Sequence, residues 1–137
     1  MKKILITGSR KYGLCEAMCK LFDTMSGIEY ETASRSNGYQ LDTSEGQKKL
    51  AERYIEGDFD IFINNSAIWK FQQVMIVEAV YNVMEEANRK GHIISIGSTA
   101  DTGVKGRTWR YPTEKKALKA YNRDLTYKAM GGSNIKT

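Results

Sequence analysis

The sequence is poor in the residues that form disulfides and metal sites. It has two cysteines, Cys15 and Cys19, and one histidine, His92. The cysteines are four residues apart in a segment with helical spacing, so they share a helix face and are expected to be packed free thiols. His92 is expected to be structural, at the turn into a strand. We therefore predict neither a disulfide nor a metal site.

Long apolar runs and basic runs are also missing. No apolar run approaches the ~20 residues of a membrane-spanning helix, and the start, Met1 to Lys3, precedes only a five-residue apolar strand, too short for a signal peptide. The net charge is +5, but no run of five or more basic residues occurs. We therefore expect a cytoplasmic protein with no membrane or nucleic-acid partner, and the positive charge leaves a phosphate-bearing cofactor open.

The composition is that of an ordinary globular domain. The 137 residues are 41% hydrophobic and 27% charged, which suits one domain, residues 1–137, with a real core. The sequence shows no repeats, no low-complexity tracts and no convincing linker. The prediction is therefore a single domain.

The amino-terminal segment predicts a phosphate-binding turn. Residues 3–7 read as a strand buried on both faces, residues 8–13 contain Gly8 and Gly13, and residues 14–22 have helical spacing. Strand, glycine turn and helix together direct backbone N–H groups and the helix dipole at a phosphate. Two glycines five apart are a weak motif, and a simple strand-to-helix turn is the alternative.

The end of the second strand, residues 27–33, predicts the choice of dinucleotide. The residue about 20 positions beyond the glycine turn meets the adenosine ribose, and it is acidic for NAD. Here residues 33–36 contain Arg35 and no carboxylate. Arg35 and Arg10 can converge on a ribose 2′-phosphate, which favours NADP. The alternative is that Arg35 is a solvated loop residue.

The middle of the chain continues the alternation of strands and helices. Residues 39–42 predict a short or irregular third strand, 45–56 a surface helix, and 60–64 a buried strand that ends in Asn64. Two amides, Asn64 and Asn65, suit a ligand crevice or a turn equally well. The helix predicted over 72–89 has a broader apolar face than one sheet covers, which suggests a second subunit.

The stretch 93–118 carries the candidate chemistry. A strand from His92 to Ile96 leads to Ser98, a glycine-rich loop follows, and a helix from Tyr111 to about Met130 places Tyr111 and Lys115 on one face. An ammonium about 4 Å from a phenol stabilises its anion by roughly 4 kcal/mol, up to about three pKa units. Ser98 would supply a hydroxyl to hold the reacting oxygen. The alternative is a helix cap and a solvated lysine.

These motifs together resemble the short-chain dehydrogenase/reductase family. The order is Thr7-Gly8 with Gly13, then residues 64–67 (Asn-Asn-Ser-Ala), then Ser98, and then Tyr111-x-x-x-Lys115. The resemblance covers nearly the whole chain. It implies a Rossmann-like three-layer α/β/α fold with a parallel sheet of about five strands in the order 3-2-1-4-5, truncated at the carboxyl terminus.

The resemblance also implies roles for individual residues. Tyr111 would be the general acid in carbonyl reduction and the base in alcohol oxidation, Lys115 would lower its pKa and bind the nicotinamide ribose, and Ser98 would orient the substrate oxygen. NADP(H) would be preferred over NAD(H). The implied cofactor-binding residues are Gly8, Ser9, Arg10, Lys11, Gly13, Arg35, Asp42, Asn64, Tyr111 and Lys115.

The sequence departs from the family in several places. Lys11 stands where a third glycine is expected, so its side chain would crowd the pyrophosphate or add a charge to it. The family's helix between the second and third strands is missing, and Gln72 and Gln73 are only approximate counterparts of its catalytic asparagine. Family members continue with two more strands and a substrate-binding loop, so one wall of the pocket would be missing unless a second subunit supplies it.

The sequence therefore predicts an NADP(H)-dependent oxidoreductase that interconverts a small, unidentified carbonyl and its alcohol. We expect a homodimer or homotetramer formed through helices 72–89 and 111–130. Two alternatives remain: a dinucleotide-binding module without turnover, and an incomplete member of the family that is stabilised by self-association.

Overall fold

A computed structural model of the protein describes residues 1–98 and 110–137. Strands and helices alternate along the described chain, with one short 3₁₀ turn, Arg35–Asn37. The elements, in order, are β1 (Lys2–Thr7), α1 (Gly13–Asp23), β2 (Ile28–Ala33), α2 (Ser44–Glu56), β3 (Ile61–Asn64), α3 (Gln72–Glu86), β4 (Gly91–Ser95), α4 (Arg110–Met130) and β5 (Ile135–Lys136).

The five strands form one parallel sheet in the order β2-β1-β3-β4-β5. Leu5 of β1 lies opposite Glu31 of β2 on one side and Phe62 of β3 on the other, and Ile63 lies opposite Ile94 of β4. Because the strands are parallel, the loops after β1, β2, β3 and β4 all leave the same edge of the sheet. The predicted five-stranded parallel α/β fold is confirmed.

One edge of the sheet differs from the prediction. Residues 39–42, predicted as a third strand, form a turn in which the Thr43 N–H donates to the Gln40 carbonyl (3.1 Å). The connection from β2 is too short for a helical crossover and folds locally, since the Asn37 side chain accepts from the Ser34 N–H (2.7 Å). Leu41 is buried against the core, which explains its apolar character. The predicted order 3-2-1-4-5 is therefore wrong at this edge, and β2 is the edge strand.

The fifth strand lies at the opposite edge. β5 has only two residues and pairs with β4, with Ile135 opposite Gly91. Ile135 is 2% exposed, so burial of one side chain and a short ladder hold this segment. Two residues give no periodic pattern, which is why the sequence did not reveal the strand.

The apolar core has two parts, one on each face of the sheet. Leu5 belongs to the larger cluster, with residues of α2, α3 and α4, whereas its neighbours Ile4 and Ile6 pack with α1. This division follows from the alternation of side chains along a strand. Cys15 and Cys19 are free and buried in the smaller cluster, as predicted. Burial is the main cause that raises the pKa of the Cys15 thiol to about 12, so it stays protonated.

Much of the broad apolar surface of α3 is used within the chain. Ile76, Val77 and Val80 are fully buried in the larger cluster, whereas Met75 is 45% exposed. Contacts with α2 and α4 on either side explain a face wider than one sheet requires. In the described ranges, no helix is long and apolar enough to cross a membrane.

Candidate active site

The glycine turn after β1 is closely packed at Gly8 and open at Gly13. Gly8 has φ +135°, and a Cβ at this position would lie 3.0 Å from both Cys15 Cβ and Asn65 Nδ2. Gly13, the first residue of α1, has φ +57°, and nothing lies within 4 Å of an added Cβ. The Tyr12 side chain makes no capping bond to α1. The first turn of α1 therefore has no cap from the Tyr12 side chain, and a helix amino terminus of this kind is suited to an anion.

Thr7 joins this turn to the loop that follows β3. Its side chain is fully buried, and its Oγ1 accepts hydrogen bonds from the backbone N–H groups of Asn65 (2.9 Å) and Ser66 (3.1 Å). One hydroxyl thus satisfies two backbone donors where β3 ends. The two loops at the carboxyl edge of the sheet are held in a fixed relation to each other.

The side chains of Ser9, Arg10 and Lys11 in the glycine turn have different environments. Ser9 Oγ accepts a hydrogen bond from the Lys11 N–H (3.2 Å), which stabilises the turn, and the Lys11 side chain is exposed. The Arg10 guanidinium lies over the Tyr30 ring (5.2 Å to the centroid), donates to the Tyr30 hydroxyl (2.8 Å) and is 3.7 Å from Asp23. Arg10 is therefore engaged along β2.

A cavity of about 630 Å³ lies between the loops after β2 and β3. Arg35 and Asp42, both predicted to bind the adenosine part of a cofactor, lie on its wall. Arg10 is not one of its lining residues, so the predicted convergence of the two arginines is not formed in this structure. The remaining lining residues are Ser34, Tyr39, Leu41, Ser66, Ala67, Ile68, Trp69, Lys70 and Gln72.

Asn64 is fully buried at the end of β3 and faces α3 rather than a cleft. Its Nδ2 donates to the Gln73 carbonyl (3.0 Å), and Gln73 Nε2 donates back to the Asn64 carbonyl (3.0 Å). The Asn64 carbonyl also accepts from the Ile96 N–H (3.0 Å). The Asn64 side chain has no exposed surface in this structure, and the cofactor contact that the resemblance implies stays a prediction.

Lys115 is the buried cation of the site. It is 4% exposed, and its Nζ donates to Gln73 Oε1 (2.8 Å) and to the Ile96 carbonyl (2.9 Å). The same nitrogen lies 5.6 Å from the centroid of the Tyr111 ring. Burial lowers the pKa of the Lys115 ammonium, because removal from water disfavours the charged form. Tyr111 and Lys115 therefore lie side by side on α4, as their spacing predicts, and the lysine is also buried.

The loop between β3 and α3 packs against Tyr111, a contact that sequence reasoning missed. The Trp69 ring meets the Tyr111 ring edge-on, with centroids 6.5 Å apart and an interplanar angle of 69°. Lys70 and Phe71 both have positive φ, 64° and 60°, which costs free energy in residues other than glycine. The Phe71 N–H donates to the buried Glu114 carboxylate (3.0 Å), so α4 holds this strained loop.

Ser98 lies three residues beyond the end of β4, on the segment whose Ile96 carbonyl binds Lys115. It is half-buried and has an interaction partner. The glycine-rich loop predicted between Ser98 and the tyrosine helix, residues 99–109, lies outside the described residues. The structure therefore brings Tyr111, Lys115 and the strand end that carries Ser98 to the same edge of the sheet.

The two sequence comparisons found no match, whereas the comparison of structures did. No protein-family model and no curated protein matches the chain. A short-chain dehydrogenase/reductase from Burkholderia phymatum in complex with NAD matches with a TM-score of 0.78 and 18% identity, over 98% of this chain and 63% of that one. A short-chain type dehydrogenase/reductase from Mycobacterium marinum matches with a TM-score of 0.75 and 17% identity, over 98% and 69%.

A third similar structure is a putative NAD(P)-dependent gluconate 5-dehydrogenase from Beutenbergia cavernae with bound NADP, with a TM-score of 0.66 and 17% identity, over 98% of this chain and 68% of that one. The chain spans 63% of the Burkholderia protein. The resemblance predicted from the ordered motifs is confirmed at the level of architecture: the chain has the fold of the short-chain dehydrogenases/reductases.

Proposed function

We propose that the protein is an NADP(H)-dependent oxidoreductase that interconverts a small carbonyl compound and its alcohol, with Tyr111 as general acid and base. The observation that carries the proposal is the buried Lys115 ammonium, held beside the Tyr111 ring and bonded to the segment that leads to Ser98. Burial of an ammonium costs free energy, and a buried titratable group beside a second titratable group in a cleft is typical of functional sites. The similar folds of enzymes that contain NAD or NADP support this reading.

The residues present fit a dinucleotide. Gly8 has a positive φ and would bring a Cβ within 3.0 Å of two side chains, and Tyr12 gives the first turn of α1 no side-chain cap, so the turn of Gly8, Ser9 and Gly13 is suited to a pyrophosphate. Lys11 adds a positive charge there. The large cavity with Arg35 and Asp42 on its wall has room for an adenosine. Arg35 would bind the 2′-phosphate and so favour NADP.

The chemistry divides between the cofactor and the chain. When bound, NADP(H) supplies the hydride in reduction and accepts it in oxidation. In reduction, Ser98 would hold the carbonyl oxygen and Tyr111 would donate its hydroxyl proton to that oxygen, so that the carbonyl, the hydride supplied by NADPH and this proton together give the alcohol. Lys115 stabilises the Tyr111 anion that this step leaves, and solvent returns the proton.

Trp69 would form a wall of the substrate position. Its ring is 57% exposed and touches the Tyr111 ring. Trp69→Ala should therefore change the KM for the carbonyl substrate more than the KM for NADPH.

Cofactor binding is the first test. Thermal unfolding is followed with NADP⁺, NAD⁺, ATP and a nucleotide sugar; a ligand at 100 times its Kd stabilises the fold by about 2.7 kcal/mol. NADP⁺ should give the largest shift, and Arg35→Ala should reduce it to the NAD⁺ level, whereas the exposed Arg123→Ala should not. No shift with any ligand would refute both the enzyme and the binding-module alternative, and equal shifts with NADP⁺ and NAD⁺ would refute the role of Arg35.

Turnover separates an enzyme from a binding module. NADPH oxidation is measured with a panel of aldehydes and ketones. Tyr111→Phe should abolish activity and leave NADP⁺ binding in place, whereas Tyr127→Phe, which changes a 63% exposed tyrosine on the same helix, should leave activity unchanged. NADP⁺ binding without turnover would favour the non-catalytic module.

We also propose self-association through α3 and α4. Met75 is 45% exposed on α3, and Met130 is 80% exposed on α4. Light scattering should give the mass of a dimer or tetramer, and Met75→Glu should weaken it. A monomeric wild-type protein at micromolar concentration would contradict this proposal, and the incomplete-fragment alternative with it.

A further inference from the structure

Gln73, the second residue of α3, is a buried amide whose orientation is fixed by its neighbours. It is 5% exposed. Its Nε2 donates to the Asn64 backbone carbonyl (3.0 Å), and its backbone carbonyl accepts from Asn64 Nδ2 (3.0 Å). A longer contact of 3.4 Å runs from the same Nε2 to the Ile96 carbonyl. With its nitrogen bound to two carbonyls, the amide has its oxygen, Oε1, directed at Lys115 (2.8 Å).

The Lys115 ammonium depends on this oxygen. An ammonium has three N–H donors, and two of them go to Gln73 Oε1 and the Ile96 carbonyl (2.9 Å). Burial lowers the pKa of Lys115, and hydrogen bonds to the charged form oppose this effect. Gln73 is the one side chain that accepts a hydrogen bond from Nζ in the described part of the protein.

The other groups around the ammonium do not replace this contact. A void of about 10 Å³ beside Lys115 is lined by two further titratable groups, Tyr111 and Glu114, both on α4. The Glu114 carboxylate accepts from the Phe71 N–H. From α3 and from the residue that follows β4 the contacts to Nζ are neutral: the Gln73 amide and the Ile96 carbonyl.

We propose that Gln73 is a positioning residue that keeps Lys115 charged and directed at Tyr111, and thereby sets the upper pH limit of the reaction. This inference rests on the proposed function. Gln73 does not touch the reacting atoms and acts through Lys115. Two hydrogen bonds between Asn64 and Gln73 hold the Gln73 amide against the end of β3, so Asn64 contributes to this positioning.

Two variants separate positioning from packing. Gln73→Leu and Gln73→Glu both remove the donation from Nε2 to the Asn64 carbonyl, but only Glu keeps an oxygen that accepts from Lys115. With Leu, Lys115 loses its proton more readily, so the alkaline limb of the kcat/KM profile should move to lower pH. The expected shift is about one pH unit or more, because this is the free energy of one hydrogen bond to a charged group expressed as a pKa change. With Glu, the limb should stay at the wild-type pH or move higher.

A direct measurement accompanies the kinetics. The titration of Lys115 is followed by NMR of ¹³C-labelled lysine, with Lys115→Arg to assign the signal, and it should move in the same directions. Gln47→Leu is the control: it deletes another amide, 6% exposed, whose Nε2 donates to the Leu41 carbonyl (3.0 Å) and to Gln72 Oε1 (2.6 Å) and which makes no hydrogen bond to Lys115. Its alkaline limb and its Lys115 titration should match the wild type.

The outcomes are distinguishable. A Lys115 titration in the Gln73→Leu variant equal to that of the wild type would overturn the inference, whether or not the protein turns over NADPH. Absence of turnover in the wild type would contradict the proposed function, and the NMR titration would still decide the role of Gln73. If the Leu variant does not fold, Gln73→Met, which keeps the length without the carbonyl, takes its place.

Discussion

Replacing Thr7 with valine removes a single hydroxyl from the junction of β1 with the loop after β3. Valine has nearly the same shape, so the buried site is not emptied. The backbone N–H groups of Asn65 and Ser66, now bonded to Thr7 Oγ1 at 2.9 and 3.1 Å, lose their acceptor. The fold remains possible, but the site is left with two unsatisfied donors.

The magnitude follows from these two bonds. A donor left without a partner costs about 1–3 kcal/mol, and since Asn65 and Ser66 are half-buried we take the lower end, about 2 kcal/mol in total. The entropy of unfolding is about 2.1 cal/mol/K per residue. For 137 residues, each kcal/mol then corresponds to about 3.5 °C. Thr7→Val should lower the Tm by roughly 7 °C.

Urea unfolding followed by circular dichroism measures this loss at constant temperature, and the m-value should stay unchanged. Thr32→Val is the matched control: this threonine lies on β2, and its hydroxyl makes no hydrogen bond within the part of the chain that the structure describes. The control should differ from wild type by less than about 0.5 kcal/mol. A Thr7→Val protein as stable as the control would refute the assigned role of the hydroxyl.

Three further stability predictions concern α2 and the edge of the sheet. Gly46→Ala should destabilise the protein by about 1–3 kcal/mol in urea unfolding despite the better helix propensity of alanine, because its Cβ would lie 1.8 Å from the Gln40 carbonyl oxygen; a more stable variant would contradict this. Thr43→Ala should cost about 1 kcal/mol, since it removes the cap that accepts from the Gly46 N–H (3.0 Å), and Thr43→Ser should restore most of it. The Arg53 hydrogen bond lowers the pKa of Glu31, so this pair stabilises the fold above pH ~4.5, and its contribution disappears as the pH falls through the lowered pKa. Glu31→Gln should therefore be less stable than wild type by under about 1 kcal/mol at pH 7, with the two unfolding free energies converging in acid; a constant difference from pH 3 to 7 would exclude the linkage.

The fold was predictable because its signals are local. The apolar runs of β1, β3 and β4 and the spacing of α1 and α3 follow from burial on both sheet faces and on one helix side. The prediction was wrong at residues 39–42, where Leu41 is apolar because it fills the core from a turn. It missed β5, whose two residues depend on pairing with β4.

The candidate site was predictable in its residues and less so in its contacts. Tyr111 and Lys115 share a helix face by their spacing, and the structure brings them together. The Gln73 and Asn64 pair could not be assigned, because Gln73 is adjacent to Gln72 and nothing local distinguishes the two amides. Only Gln73 faces the ammonium of a residue 42 positions away.

The sequence by itself determined the strands β1 to β4 and the helices α1 to α4, the glycine turn after β1 and the i, i+4 pairing of Tyr111 with Lys115, since each depends on neighbours within a few residues. The tertiary structure decided which groups surround that pair: the amide that receives the lysine, the tryptophan against the tyrosine, and the turn of Arg10 toward β2 rather than toward Arg35. These contacts join residues far apart in the chain, and their geometry is set by how the helices pack on the sheet and by which buried polar groups must find a partner.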